Sequence, residues 1–85
     1  MRLSLHHELN NLFSPSIRSQ AQTIEPESVD ALAVNEAVGA LLLLKGKDAE
    51  QVRYVSTMNP QTAVALCRWM SDPAFWVLAG GITKQ

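Results

Sequence analysis

Residues 48–70, DAEQVRYVSTMNPQTAVALCRWM, carry the local signals that decide the fold. Asp48 and Gln51 match a capping box, in which the first side chain accepts from first-turn amides and the second reaches back, so a helix should begin there. That helix should end just before Asn59 and Pro60, which are typical of a cap and the first residue of a new helix. The new helix places four apolar side chains on one face at helical spacing: Ala63, Leu66, Cys67 and Met70.

A capping residue followed by proline occurs once more toward the C-terminus. Asp72 and Pro73 repeat the order of a capping residue and a proline, and they open a short aromatic segment from Phe75 to Leu78. Gly80 and Gly81 should end this segment, because glycine is favoured just after a helix. The sequence therefore predicts a third helix start in this half of the chain.

A longer helix is predicted upstream, from Pro26 to Lys45. Proline suits the first helical position, and Glu27 and Asp30 complement the positive end of the helix dipole. Lys45 followed by Gly46 is a favourable end signal. Ala40 and the four leucines that follow it, residues 40–44, make the end of the helix apolar all round, which is typical of a central core helix; a strand over these residues is the alternative. The apolar stripe consists of Val34, Ala37, Val38, Leu41 and Leu42.

The N-terminal part of the chain divides into a helix and a linker. An amphipathic helix is predicted over residues 1–13, where Leu5, Leu9, Leu12 and Phe13 share one face. Ser14 and the proline after it should stop this helix, and the polar residues 14–25 are interpreted as a linker. The helical core should then occupy residues 26–81.

These elements predict one all-α domain over residues 1–85, a small bundle of four or five short helices. The chain is 47% hydrophobic and 18% charged, which is apolar enough for a packed core. The linker would let the N-terminal helix detach, and it could pack on its own chain or exchange with a second copy.

The sequence offers no catalytic, cofactor or metal site. Cys67, the only cysteine, lies on the apolar face of its helix and is interpreted as an inert core residue. The adjacent His6 and His7 point about 100° apart on a helix and do not form a ligand pair. We expect a protein that is not an enzyme and binds no cofactor. A lone thiol and the absence of a signal peptide favour the cytoplasm, and no apolar run is long enough for a membrane span.

A helix-turn-helix DNA-binding regulator is the alternative function. The helix over residues 60–70 would enter the major groove, with Gln61, Thr62 and Arg68 as its DNA-binding residues. The net charge of −1 argues against this role, because phosphate binding normally needs several cations. Nucleic acid is therefore not the expected partner.

Protein–protein interaction is the function that the sequence favours. The aromatic residues Trp69, Phe75 and Trp76 are many for so small an interior, so they either close the core or anchor an interface. With the apolar residues of the first helix they give seven candidate interaction residues: Leu5, Leu9, Leu12, Phe13, Trp69, Phe75 and Trp76. We expect self-association, as a two-fold dimer, and an unidentified protein partner.

Residues 48–70 also resemble a short motif of the ead-type early proteins of temperate phages. The likeness rests on Tyr54, Val55, Asn59, Pro60, Thr62 and Leu66, and the chain departs from the motif at Cys67, Arg68 and Trp69. The resemblance implies only a phage or mobile-element accessory protein and does not define its activity.

Overall fold

The structure is a computed structural model that describes residues 12–81, and every regular element in this range is helical. The all-α prediction is confirmed. The elements, in chain order, are α1 (Pro15–Ala21), a 3₁₀ helix (Pro26–Ser28), α2 (Ala31–Leu43), α3 (Asp48–Thr57), α4 (Pro60–Ser71) and α5 (Ala74–Leu78).

Side-chain caps start three of these helices. Ser14 Oγ accepts from the amide three residues later at 3.2 Å, and Asp30 Oδ1 does the same at 3.2 Å. Asn59 Oδ1 accepts from the amides two and three residues later, at 2.8 and 3.4 Å, as predicted. Each cap satisfies amides that have no partner within the helix, which fixes where α1, α2 and α4 begin.

The interpretation of residues 14–25 as a linker is wrong, because α1 lies within them. Ser14 and Pro15 form the same cap and first-turn pair as Asn59 and Pro60, so they start a helix. Ala21 at the end of α1 is fully buried, and Ile17 packs against the core. The segment is therefore part of the packed structure.

The predicted helix start at Pro26 is also wrong. Pro26 opens the 3₁₀ helix, and Val29 and Asp30 then adopt extended backbone conformations. Asp30 caps α2 from outside the helix, so the helix begins at Ala31. The carboxylate acts as a cap here, although its expected role was to complement the dipole within the first turn.

The predicted capping box at Asp48 and Gln51 does not form. Asp48 is the first residue of α3, and the capping position falls on Lys47, which makes no side-chain cap. Gln51 Nε2 instead donates to the Leu41 carbonyl oxygen at 3.1 Å. The same carbonyl also accepts from the Leu44 amide at 3.1 Å, so Gln51 adds a second donor that links the first turns of α3 to the end of α2.

The C-terminal end of α2 follows the helical prediction. The helix runs through Leu43, so the strand alternative for residues 40–44 is wrong. Gly46 follows with φ 85°, the left-handed conformation that glycine adopts without steric cost.

The centre of the fold is α4. Five consecutive residues of this helix are buried, from Ala63 to Cys67, and Leu66 has no exposed surface. Since α1, α2 and α5 all contact it, α4 is covered on more than one side. Ala63 and Ala65 have small side chains, which let neighbouring helices approach closely.

The predicted N-terminal helix falls mostly on residues 1–11, which lie outside the described part of the chain. None of the helices that the structure describes has the length and apolar character needed to cross a membrane.

Candidate interaction groove

Three of the seven predicted interaction residues belong to the core. Phe13 and Phe75 are 3% exposed and Trp76 is 8% exposed, so they offer almost no surface to a partner. Their prediction as interaction residues is wrong, because a chain of this size does have the interior to bury them. Leu5 and Leu9 lie outside the described residues.

The two remaining candidates, Leu12 and Trp69, are half-buried and line the same groove. This apolar groove has a volume of about 250 Å³. Its apolar lining consists of Leu12, Val38, Leu41, Leu42, Trp69 and Met70, and its polar lining consists of Lys45 and Gln51.

Helix periodicity builds the walls of the apolar groove. Val38, Leu41 and Leu42 lie at spacings of three and four residues, so α2 presents them on neighbouring turns of one side. The last turns of α4 supply Trp69 and Met70. The Trp69 ring makes an edge-to-face contact with the buried Trp76 ring, with centroids 6.5 Å apart and planes at 73°. This contact orients Trp69 at the groove wall.

Lys45 is the single ionisable residue among those that line the apolar groove. Gln51 lines it too, but its amide nitrogen already donates to Leu41. An occupant that matches this surface would have an apolar face with a negative charge at one edge.

Three leucines of α2 are largely exposed, although the sequence predicted a central core helix here; one of them, Leu42, also lines the apolar groove. Leu32, Leu42 and Leu43 are 67%, 67% and 83% exposed, so the prediction that the end of α2 is central is wrong. The helix at the centre is α4, because its small residues let other helices pack closely against it on several sides. The amphipathic pattern of α2 did not reveal these exposed leucines, because leucine is read as a core residue wherever it occurs.

The helix predicted to bind DNA lacks the free face that a recognition helix needs. Gln61 is exposed and Thr62 half-buried at its start, but the five residues after them are buried. The Arg68 guanidinium lies 3.8 Å from the carboxylate of Asp72 and 5.2 Å from the centre of the Phe75 ring. It therefore makes contacts within its own chain, which reduces its availability to a phosphate.

The described residues contain one buried thiol and no metal-binding cluster. Burial raises the pKa of Cys67 from 9.0 to about 11, although the nearby Arg18 charge opposes the shift. Such a thiol stays protonated and is a poor nucleophile at neutral pH. Between Leu12 and Gly81, no group of His, Cys, Asp or Glu could hold a metal ion. His6 and His7 lie outside this range.

Comparison with known proteins assigns no family to the chain. No protein-family model, curated protein or solved structure matches it. The likeness of residues 48–70 to ead-type early proteins therefore stays a prediction.

Proposed function

We propose that this chain is a small, non-enzymatic accessory protein that acts by binding proteins, and that its first partner is a second copy of itself. The observation that carries the proposal is the exposed apolar side of α2. The phage or mobile-element setting is proposed from the resemblance of residues 48–70, and a cytoplasmic location from the reduced Cys67 thiol.

The surface proposed for self-association is the outer face of α2, where the apolar Leu32, Gly39 and Leu43 lie beside the exposed Glu36. Spacings of seven and four residues place these positions on one side of the helix, away from the buried Val34 and Ala37. Soluble proteins expose single leucines often, but two leucines that flank a glycine on one helix face favour an interaction site.

Gly39 favours another helix as the partner. A glycine inside a helix costs about 1 kcal/mol relative to alanine, so its presence calls for a packing reason. Residues 12–81 provide none, because a Cβ at Gly39 would meet no neighbouring atom of this part of the chain within 4 Å. On the outer face of α2, a missing side chain allows a second α2 to approach closely. A two-fold axis near Gly39 would bury both copies of the face at once.

Light scattering across a concentration series tests the proposal. The unmodified protein should have the mass of a dimer at high micromolar concentration, and Leu43→Glu should shift it toward a monomer. Leu78→Glu is the matched control, because Leu78 is 71% exposed but lies on α5. A monomer at all concentrations, or an equal effect of both variants, would rule out the outer face of α2 as the interface.

The variant Gly39→Ala should have opposite effects on the stability of α2 and on the affinity of the dimer. Alanine should stabilise an isolated α2 by up to about 1 kcal/mol, because it has the higher helix propensity. The same Cβ should weaken a close helix pair. A variant that gains thermal stability as a monomer and loses dimer mass fits the proposal, whereas a variant that gains stability with unchanged dimer affinity contradicts the role of Gly39.

DNA binding remains the competing function, and salt dependence distinguishes it. If the protein contacts DNA phosphates, its affinity for duplex DNA falls steeply as the salt concentration rises. The slope of log affinity against log salt concentration is then close to the number of phosphate contacts. We expect no such binding, since Arg68 is engaged within the chain. Tight binding at low salt that Arg68→Gln weakens would favour the DNA-binding function.

A further inference from the structure

The apolar groove meets the edge of the described structure at Leu12. The backbone of Leu12 is helical, its side chain lines the groove, and residues 1–11 join the chain directly before it. Residues 1–11 therefore join the described structure at a residue whose side chain lines the apolar groove.

Burial and hydrogen bonds fix the chain directly after Leu12. Phe13, the next residue, is buried, and its carbonyl oxygen accepts from Arg18 Nε at 3.4 Å. Ser14 then caps α1, which packs on α4. Because α1 packs on α4, the chain is anchored directly after Leu12, and residues 14–25 do not act as a long tether for residues 1–11. This geometry favours the groove of the same chain.

The sequence before Leu12 matches the groove in shape and charge. In a helix that continues back from Leu12, Leu9 and Leu5 lie three and seven residues earlier on the same side. Such a helix of residues 1–11 would be about 16 Å long. Glu8, four residues before Leu12, borders that side and supplies the negative charge that suits Lys45.

We propose that residues 1–11 dock as a helix into the apolar groove of their own chain, with Leu9 and Leu5 on its apolar wall and Glu8 facing Lys45. The direct connection through Leu12 makes docking intramolecular, so no translational freedom is lost. An amphipathic helix from another protein can enter the groove only by displacing this segment. The apolar groove is a different surface from the outer face of α2, so residues 1–11 can dock there whether or not the chain forms a dimer.

Cross-linking of the full-length protein tests the proposal. In a Cys67→Ala background, the pair Leu9→Cys and Leu42→Cys is treated with a short bismaleimide at low micromolar concentration. The expected product is a bridge within one chain, seen as one linker per monomer mass. Leu32→Cys replaces Leu42→Cys as the matched control, because both leucines are 67% exposed on α2 but Leu32 lies away from the groove.

Each result decides the proposal. A bridge within one chain that forms only with Leu42→Cys supports docking in cis. A product of dimer mass would show that residues 1–11 enter the groove of a second copy, and this overturns the proposal. No bridge, or equal yields with both partners, would show that the segment does not dock there, and this also overturns it.

A charge exchange gives a second measurement that needs no cross-linker. Glu8→Lys should lower the thermal midpoint by a few degrees, because it places two cations together at the groove. The combination with Lys45→Glu should restore it, whereas Glu27→Lys combined with Lys45→Glu should give no such recovery, because Glu27 is exposed and does not line the groove. If the combined exchange fails to recover the midpoint, Glu8 does not face Lys45 and the proposed pose is wrong.

Discussion

Replacement of Leu66 by alanine should remove most of the stability of this protein. Leu66 lies in the middle of α4 and is fully buried. The substitution deletes three carbon atoms, which corresponds to about 2.4 kcal/mol of lost transfer free energy, and the remaining cavity raises the cost to about 3 kcal/mol or more. A domain of this size usually gains about 3 to 5 kcal/mol from its core. The variant should therefore retain about 2 kcal/mol at most, and at the lower end of this range it would be half unfolded in water.

Urea unfolding followed by circular dichroism at 222 nm measures this effect. For a slope of about 1.5 kcal/mol/M, the midpoint should fall by about 2 M with the slope unchanged. Leu78→Ala makes the same chemical change at a side chain that is 71% exposed, and it should shift stability by less than about 0.5 kcal/mol. If the two variants unfold at the same urea concentration, Leu66 is not the centre of the core.

Three other perturbations have defined outcomes. Burial raises the pKa of the Cys67 thiol to about 11, so the unfolded chain loses this proton first as pH rises; between pH 9 and 11 the unmodified protein should lose about 2 to 3 kcal/mol more than Cys67→Ala in urea titrations. Gly81→Ala should lower the thermal midpoint, since its Cβ would overlap the Trp76 indole, whereas Gly39→Ala meets no atom; equal midpoints would contradict the packing of Gly81. Asn59→Ala should cost about 1 kcal/mol of unfolding free energy because two amides lose their cap, and Asn59→Asp should retain most of it.

Local signals in the sequence located helices where the cap and its acceptor are neighbours in the chain. Asn59 and Pro60 predicted the start of α4 correctly, because the capping bonds need only the next three residues. Ser14 and Pro15 carry the same signal, but the apolar residues before them favoured a reading as a helix end. Serine followed by proline can begin a helix or follow the end of one. The two residues alone therefore do not show whether the helix lies before or after them.

Long-range contacts decided what the sequence did not reveal. Gln51 suits a capping box, yet it donates to Leu41, ten residues earlier, which the turn between α2 and α3 brings within reach. The apolar groove likewise combines Leu12, Val38 and Trp69 from three separate segments. Leu12 and Trp69 were both predicted as interaction residues, but periodicity within one helix could not show that they line the same groove.

The continuous burial of α4 restricts how the length of this chain can change. One residue inserted between Ala65 and Leu66 would turn the rest of the helix by about 100°, so Trp69 would leave the apolar groove and Arg68 would leave Phe75. A deletion would do the same in the opposite sense. At Gly46, in an exposed turn, added residues would only lengthen a loop, at a cost that grows slowly with loop length. Variation in length, and any inserted tag, should therefore be tolerated at Gly46 and rejected within α4.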